Sequence, residues 1–160
     1  ENITVIDTLT TEEIYDNRVT FVPWGEEIKK IPKSDLIFGH FELTNFKMNN
    51  FKICDHGDSP DSLLRKSKMV ITGHFHLKAE RNFNTGKILY LGNPFQMDFG
   101  DAESEKGYYI LDFNDITNPV FYKNDISPVH KITDFVNMLD INNKHDVIQY
   151  TVDLYKSCKE

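Results

Sequence analysis

Two apolar runs in this chain end in the same dipeptide. Leu36-Ile37-Phe38 passes into Gly39-His40, and Met69-Val70-Ile71-Thr72 passes into Gly73-His74-Phe75-His76. Short apolar runs bounded by glycine read as β-strands, so two strands are expected to deliver histidines at their ends. Residues i and i+2 of an extended backbone point to one side, which puts His74 and His76 on a common face. Gly73 permits a sharp turn that a residue with a Cβ resists. Imidazole is the commonest metal ligand among side chains. Convergence of His40, His74 and His76 on one spot is the beginning of a metal site.

A chain of 160 residues can bury a substantial core. Its formal net charge of −7 gives no global attraction to nucleic acid or to an acidic membrane. A nuclease is not excluded by this, because bound divalent metals and local basic patches override an average charge. Cys54 and Cys158 fit no metal-ligand or redox spacing, so they read as two reduced thiols of a cytoplasmic protein. No apolar run approaches the roughly 18 residues of a membrane span, and no signal peptide is visible. The sequence starts at Glu1 and opens into a strand-like run, Ile3-Thr4-Val5-Ile6, which reads as a segment of a longer protein.

Along the chain, strand-like segments outweigh helices. Val19-Thr20-Phe21-Val22 stops at Pro23-Trp24-Gly25, and a short helical stretch fits between Glu26 and Pro32. Ser59-Pro60-Asp61-Ser62-Leu63-Leu64 has the proline and early acid of a helix start, with an end around residues 66–68. Residues 77–82 and 87–91 flank Phe83-Asn84-Thr85-Gly86 as a hairpin, and residues 107–113 and 120–122 form another strand pair. The aromatics Phe95, Phe99, Tyr108, Tyr109 and Phe113 read mainly as core, with exposure on the loop the alternative for Phe95. Beyond Asn124 the texture changes, with helical spacing over 132–141 and a last strand over 147–152.

The ordered set of Gly39-His40-Phe41-Glu42, Gly73-His74-Phe75-His76, Tyr90-Leu91-Gly92-Asn93-Pro94-Phe95-Gln96 and Gly107-Tyr108-Tyr109-Ile110-Leu111-Asp112 resembles the second half of a calcineurin-like metallophosphoesterase domain. Its wording is most similar to the DNA double-strand-break repair nucleases of the bacterial SbcCD and T-even phage recombination endonuclease type. The resemblance runs from about residue 21 to 113. It implies an α/β fold: a partial metallophosphoesterase sandwich of mixed β-sheets flanked by helices (1–123), followed by the start of a small α/β DNA-capping domain (124–160). It also implies that His40, His74 and His76 are ligands of two divalent metal ions, manganese first and magnesium second. The expected activity is manganese-dependent exonuclease and endonuclease hydrolysis of DNA phosphodiesters in break repair or recombination. Expected partners are DNA and an SMC-like ATPase, with a homodimer as a further expectation and no membrane.

The family's earlier blocks, Asp-x-His, Gly-Asp and Gly-Asn-His, do not occur in order here, so the chain is expected to carry about half of an active site and to be inactive alone. Asp55-His56-Gly57-Asp58 falls in the family's variable loop. His56, Asn93 and Gln96 are weaker candidates for substrate contact, His56 reading first as a surface residue and the other two first as structural loop residues. Arg65, Lys66 and Lys68 suit phosphate oxygens or a solvated helix end. Two alternatives stand beside the nuclease: a general phosphodiesterase acting on nucleotides or small diesters, and a non-catalytic DNA-binding or scaffold module.

Overall fold

In the computed structural model, residues 3–102 and 104–130 are described. They form a six-stranded sheet and a separate two-stranded one, with one short α-helix and two 3₁₀ turns, Ile28–Lys30 and Phe99–Asp101, between strands. The strands are β1 (Thr10–Ile14), β2 (Asn17–Val22), β3 (Leu36–His40), β4 (Met69–Gly73), β5 (Ala79–Phe83), β6 (Gly86–Tyr90), β7 (Gly107–Asp112) and β8 (Asp115–Lys123). The helix α1 (Pro60–Leu64) precedes β4. The large sheet has the order β1-β2-β3-β4-β6-β5. Its four inner strands, β2, β3, β4 and β6, are parallel to one another. The outer strands β1 and β5 return antiparallel through hairpins.

The inner strands are apolar at successive positions because both faces of the sheet are covered, as parallel strands require. Ile37, Val70, Ile88 and Tyr90 pack on one face with Leu63 and Leu64 of α1 and with Phe41, Leu43, Phe46 and Cys54 from the segment after β3. Leu36, Met69, Ile71 and Leu89 pack on the other, beneath Tyr109, Leu111, Phe113 and Ile116 of the β7–β8 pair. The alternation of 36, 37 and of 69, 70, 71 between the two faces is the period of two that a strand imposes.

Several expectations are modified. Residues 3–6 form no strand, and the first strand is β1, whose polar Thr10-Thr11-Glu12-Glu13 face is mostly exposed. It pairs with β2 across the two-residue turn Tyr15-Asp16, both at positive φ (47° and 62°), the geometry of a type I′ hairpin. Helix α1 ends at Leu64, short of the expected 66–68. β8 begins at Asp115 instead of 120, so the β7–β8 connection is a tight turn. Phe95 is exposed on its loop, as allowed for, and Tyr108 is exposed at 57%, not core: Tyr108 stacks with Tyr122 on the outward face of the hairpin, centroids 5.5 Å apart. The helix expected over 132–141, the strand over 147–152 and most of the proposed 124–160 segment lie outside the described residues. No helix among the described residues is long and apolar enough to cross a membrane.

Candidate metal centre

Ligands of open α/β sheets gather beyond the carboxyl ends of the parallel strands. Here those ends carry the histidines. β3 and β4 are paired so that His40 lies opposite Gly73, and the chain places His74 one residue further on. The imidazoles of His40 and His74 meet edge to face, centroids 5.3 Å apart. Gly73 makes this possible, since a Cβ there would sit 2.9 Å from His40 Nδ1. Trp24, from the end of β2, stacks on His74 (4.8 Å, 22°) and meets His40 edge-on at 5.4 Å. Desolvation and the nearby His74 hold the His40 imidazole below its ordinary pKa, so it is kept in the neutral, lone-pair-bearing form that ligates metals.

His74 and His76 open on one cleft of about 570 Å³, with Met48, Asn49, Asp98 and Asp101 on its walls. The reason differs from the i, i+2 alternation of a strand. β4 stops at Gly73, and His74 has φ +94°, a left-handed conformation costly for a residue with a Cβ. Such outliers concentrate at functional sites. Here the strained backbone turns His74 toward His40 and Trp24.

Carboxylates complete the surroundings. Glu42 Oε1 lies 3.7 Å from His74 Nε2 and 3.0 Å from His56 Nε2. The residue after β3 that presents it is pinned by Tyr90, whose hydroxyl donates to the Phe41 carbonyl (2.8 Å) and accepts from the Leu43 N–H (3.1 Å). Asp101 Oδ2 stands 3.7 Å from His76 Nδ1. Asp101 is itself buried in an ion pair with Lys106 (2.7 Å), and the same ammonium donates to the His76 carbonyl at 2.7 Å. Burial alone would raise the Asp101 carboxyl. The hydrogen bonds from Lys106 and the Met97 N–H outweigh it and hold the pKa below the usual range. Imidazole nitrogen suits zinc and the other later divalent metals, and carboxylate oxygen suits magnesium and manganese. Among the described residues, His40 and His74 meet ring to ring with Glu42 beside His74, while the three ligating atoms that lie within 4.8 Å of one another are those of Glu42, Cys54 and His56.

The structure thus brings His40 and His74 together and sets His76 beside His74 on one cleft. His56 lies at the same edge, joined to Glu42 and, through Nδ1, to Asp55 at 2.9 Å. The Asp55 hydrogen bond and then the Glu42 charge raise its pKa. Asn93 uses its side-chain amide on Asp101 (3.1 Å) and its backbone N–H on the His76 carbonyl (3.1 Å), so it braces the His76 arm. Gln96 accepts from the His130 N–H. Arg65, Lys66 and Lys68 line a cleft with Lys33 and the amino end of β4, at the opposite end of the sheet from the histidines. Trp24, Asp101 and Lys106 went unread as site residues. The trace of Trp24 in the sequence is its place directly after a third strand end, Val22-Pro23. No family model matches the sequence, and a comparison with curated proteins gives no match.

Proposed function

We propose that the chain is the second half of a calcineurin-like metallophosphoesterase domain, a partial sandwich whose histidine centre serves manganese-dependent hydrolysis of DNA phosphodiesters. The observation that carries this reading is the meeting of His40 and His74, from adjacent parallel strands, with the Glu42 carboxylate 3.7 Å away. In this reading His40, His74 and His76 hold two divalent ions. Such a pair, when bound, neutralises charge on the phosphodiester and lowers the pKa of an attacking water. The chain's own residues keep the ligands ready. Partial desolvation and the nearby His74 lower the His40 pKa, Trp24 covers one face of His74, and Lys106 with Asp101 fixes the backbone of His76.

DNA, an SMC-like ATPase and a second copy of the chain are partners under this proposal, and a DNA-capping segment belongs to residues 124–160. The test compares this chain with an upstream-extended one for manganese-dependent cutting of linear double-stranded DNA. Activity in the extended chain, abolished by His74→Ala, supports the nuclease. Absence of cutting by both chains removes it, and hydrolysis of small diesters by the extended chain would then favour the general phosphodiesterase.

A further inference from the structure

Glu42, Cys54 and His56 form a second cluster, which shares only Glu42 with the histidine centre. One ligating atom from each, a carboxylate oxygen, the thiol sulfur and an imidazole nitrogen, lies within 4.8 Å of the other two. Glu42 Oε1 and His56 Nε2 are 3.0 Å apart. The two segments that carry them are tied by backbone bonds: Asp58 N–H to the Glu42 carbonyl (2.9 Å), Asn45 N–H to the Cys54 carbonyl (2.8 Å) and Cys54 N–H to the Phe46 carbonyl (2.8 Å). Gly57, at φ +91°, permits the close return, for a Cβ there would stand 2.4 Å from the Glu42 carbonyl oxygen. The three donors are therefore held together by the fold.

We infer that Glu42, Cys54 and His56 bind a zinc-type divalent ion. Tetrahedral zinc with bonds of 2.0–2.3 Å sets its donors roughly 3.3–3.7 Å apart, so the cluster reaches that geometry by side-chain shifts of about an ångström. Thiolate with imidazole selects zinc over manganese, whose preference is for oxygen. Binding breaks the hydrogen bond that the Cys54 thiol donates to the His56 carbonyl (2.8 Å), releases that proton to water, and sets the thiolate and the lone pair of His56 Nε2 on the metal.

A second, independent feature supports the site. Asp55 Oδ1 accepts from His56 Nδ1 at 2.9 Å. A carboxylate on the far nitrogen of a ligating histidine fixes the tautomer and raises the basicity of the other nitrogen. Cys54 is fully buried, whereas His56 and Asp55 are open to solvent, so the cluster sits at the boundary between core and surface. The ion's effect would be to clip the 54–58 segment to Glu42, beside His74. The inference shares Glu42 with the phosphoesterase reading but rests on Cys54 and His56, which that reading does not need as ligands.

Cobalt reports on it directly, because a thiolate ligand gives Co²⁺ a near-ultraviolet charge-transfer band that imidazole and carboxylate do not. The full 160-residue chain with Cys158→Ser, reduced and kept anaerobic, is titrated with Co²⁺ and then with Zn²⁺ in competition. The expected result is a charge-transfer band that Zn²⁺ removes and that Cys54→Ser abolishes. Mutations of outer-shell partners already cost about 10–100-fold in metal affinity, so His56→Ala and Glu42→Gln are expected to weaken binding at least tenfold. His40→Ala, which the manganese reading requires to impair the other centre, leaves the band in place. No band in the parent chain, or a band whose affinity His56→Ala and Glu42→Gln leave unchanged, overturns the inference. His56 is exposed, so its variant keeps the test decisive should Cys54→Ser fail to fold.

Discussion

At the scale of single residues, the most consequential polar pair is Asp101 with Lys106. Both side chains are nearly inaccessible, at 2% and 4%, and the ammonium splits its donors between the carboxylate and the His76 carbonyl. Removing one partner of a buried pair leaves the other as an uncompensated charge, at a cost of about 3–5 kcal/mol. Asp101→Asn is therefore expected to lower stability toward urea by that amount at neutral pH. The sign of its pH dependence follows from the carboxyl's depressed pKa. A carboxylate stabilised in the native state adds stability that is complete above its unfolded pKa of about 3.9 and is lost as pH falls through the native value. The gap between wild type and Asp101→Asn should narrow in urea titrations carried below about pH 4. A gap that stays constant into that range would show that the pair contributes no charge-dependent stability.

Elements turn these residues into a centre, and Tyr90 shows how. It is the last residue of β6, fully buried, and it reaches across the sheet end to hold both the Phe41 carbonyl and the Leu43 N–H. Burial pushes its phenol pKa up, so it remains protonated and able to donate at any working pH. Tyr90→Phe keeps the ring against Phe46 and Phe75 and orphans two backbone groups on either side of Glu42. A buried group left without its partner costs about 1–3 kcal/mol. With two groups orphaned, the variant should unfold earlier in urea by at least that margin, and manganese binding followed by calorimetry should weaken with it. Unchanged stability would mean that water takes over both bonds.

The same elements show what a sequence can and cannot carry. β3, β4 and the β5–β6 hairpin are legible because apolar runs and turn residues are local signals. β1 is not, because its polar residues pair only where the Tyr15-Asp16 turn lays them on β2. His40 and His74 are legible as a pair since each follows a strand and a glycine. The carboxylates that complete the site are not: Glu42 takes its place through Tyr90, a residue 48 positions away, and Asp101 through Lys106. The turn at His74 is equally hidden, because extended geometry is the natural continuation of β4 while His74 sits at φ +94°.

For the whole molecule, the question is whether a metal binds at this centre or merely collects on an acidic surface. The formal net charge of −7 attracts any divalent cation diffusely, and such attraction is screened by salt. A specific site behaves differently. A ligand that binds only the native state adds RT ln(1 + [L]/Kd), about 2.7 kcal/mol at a hundredfold excess over Kd. For a chain of this size that raises the Tm by roughly 5–10 °C. Manganese is expected to do this in wild type with 150 mM salt present, and His40→Ala with His74→Ala should abolish the rise. His56→Ala offers the complementary control, because it leaves the His40–His74 pair intact while changing the total charge little. A rise of equal size in the double variant, or one that added salt removes from both proteins, would assign the effect to the acidic surface and leave the two histidines without a metal to hold.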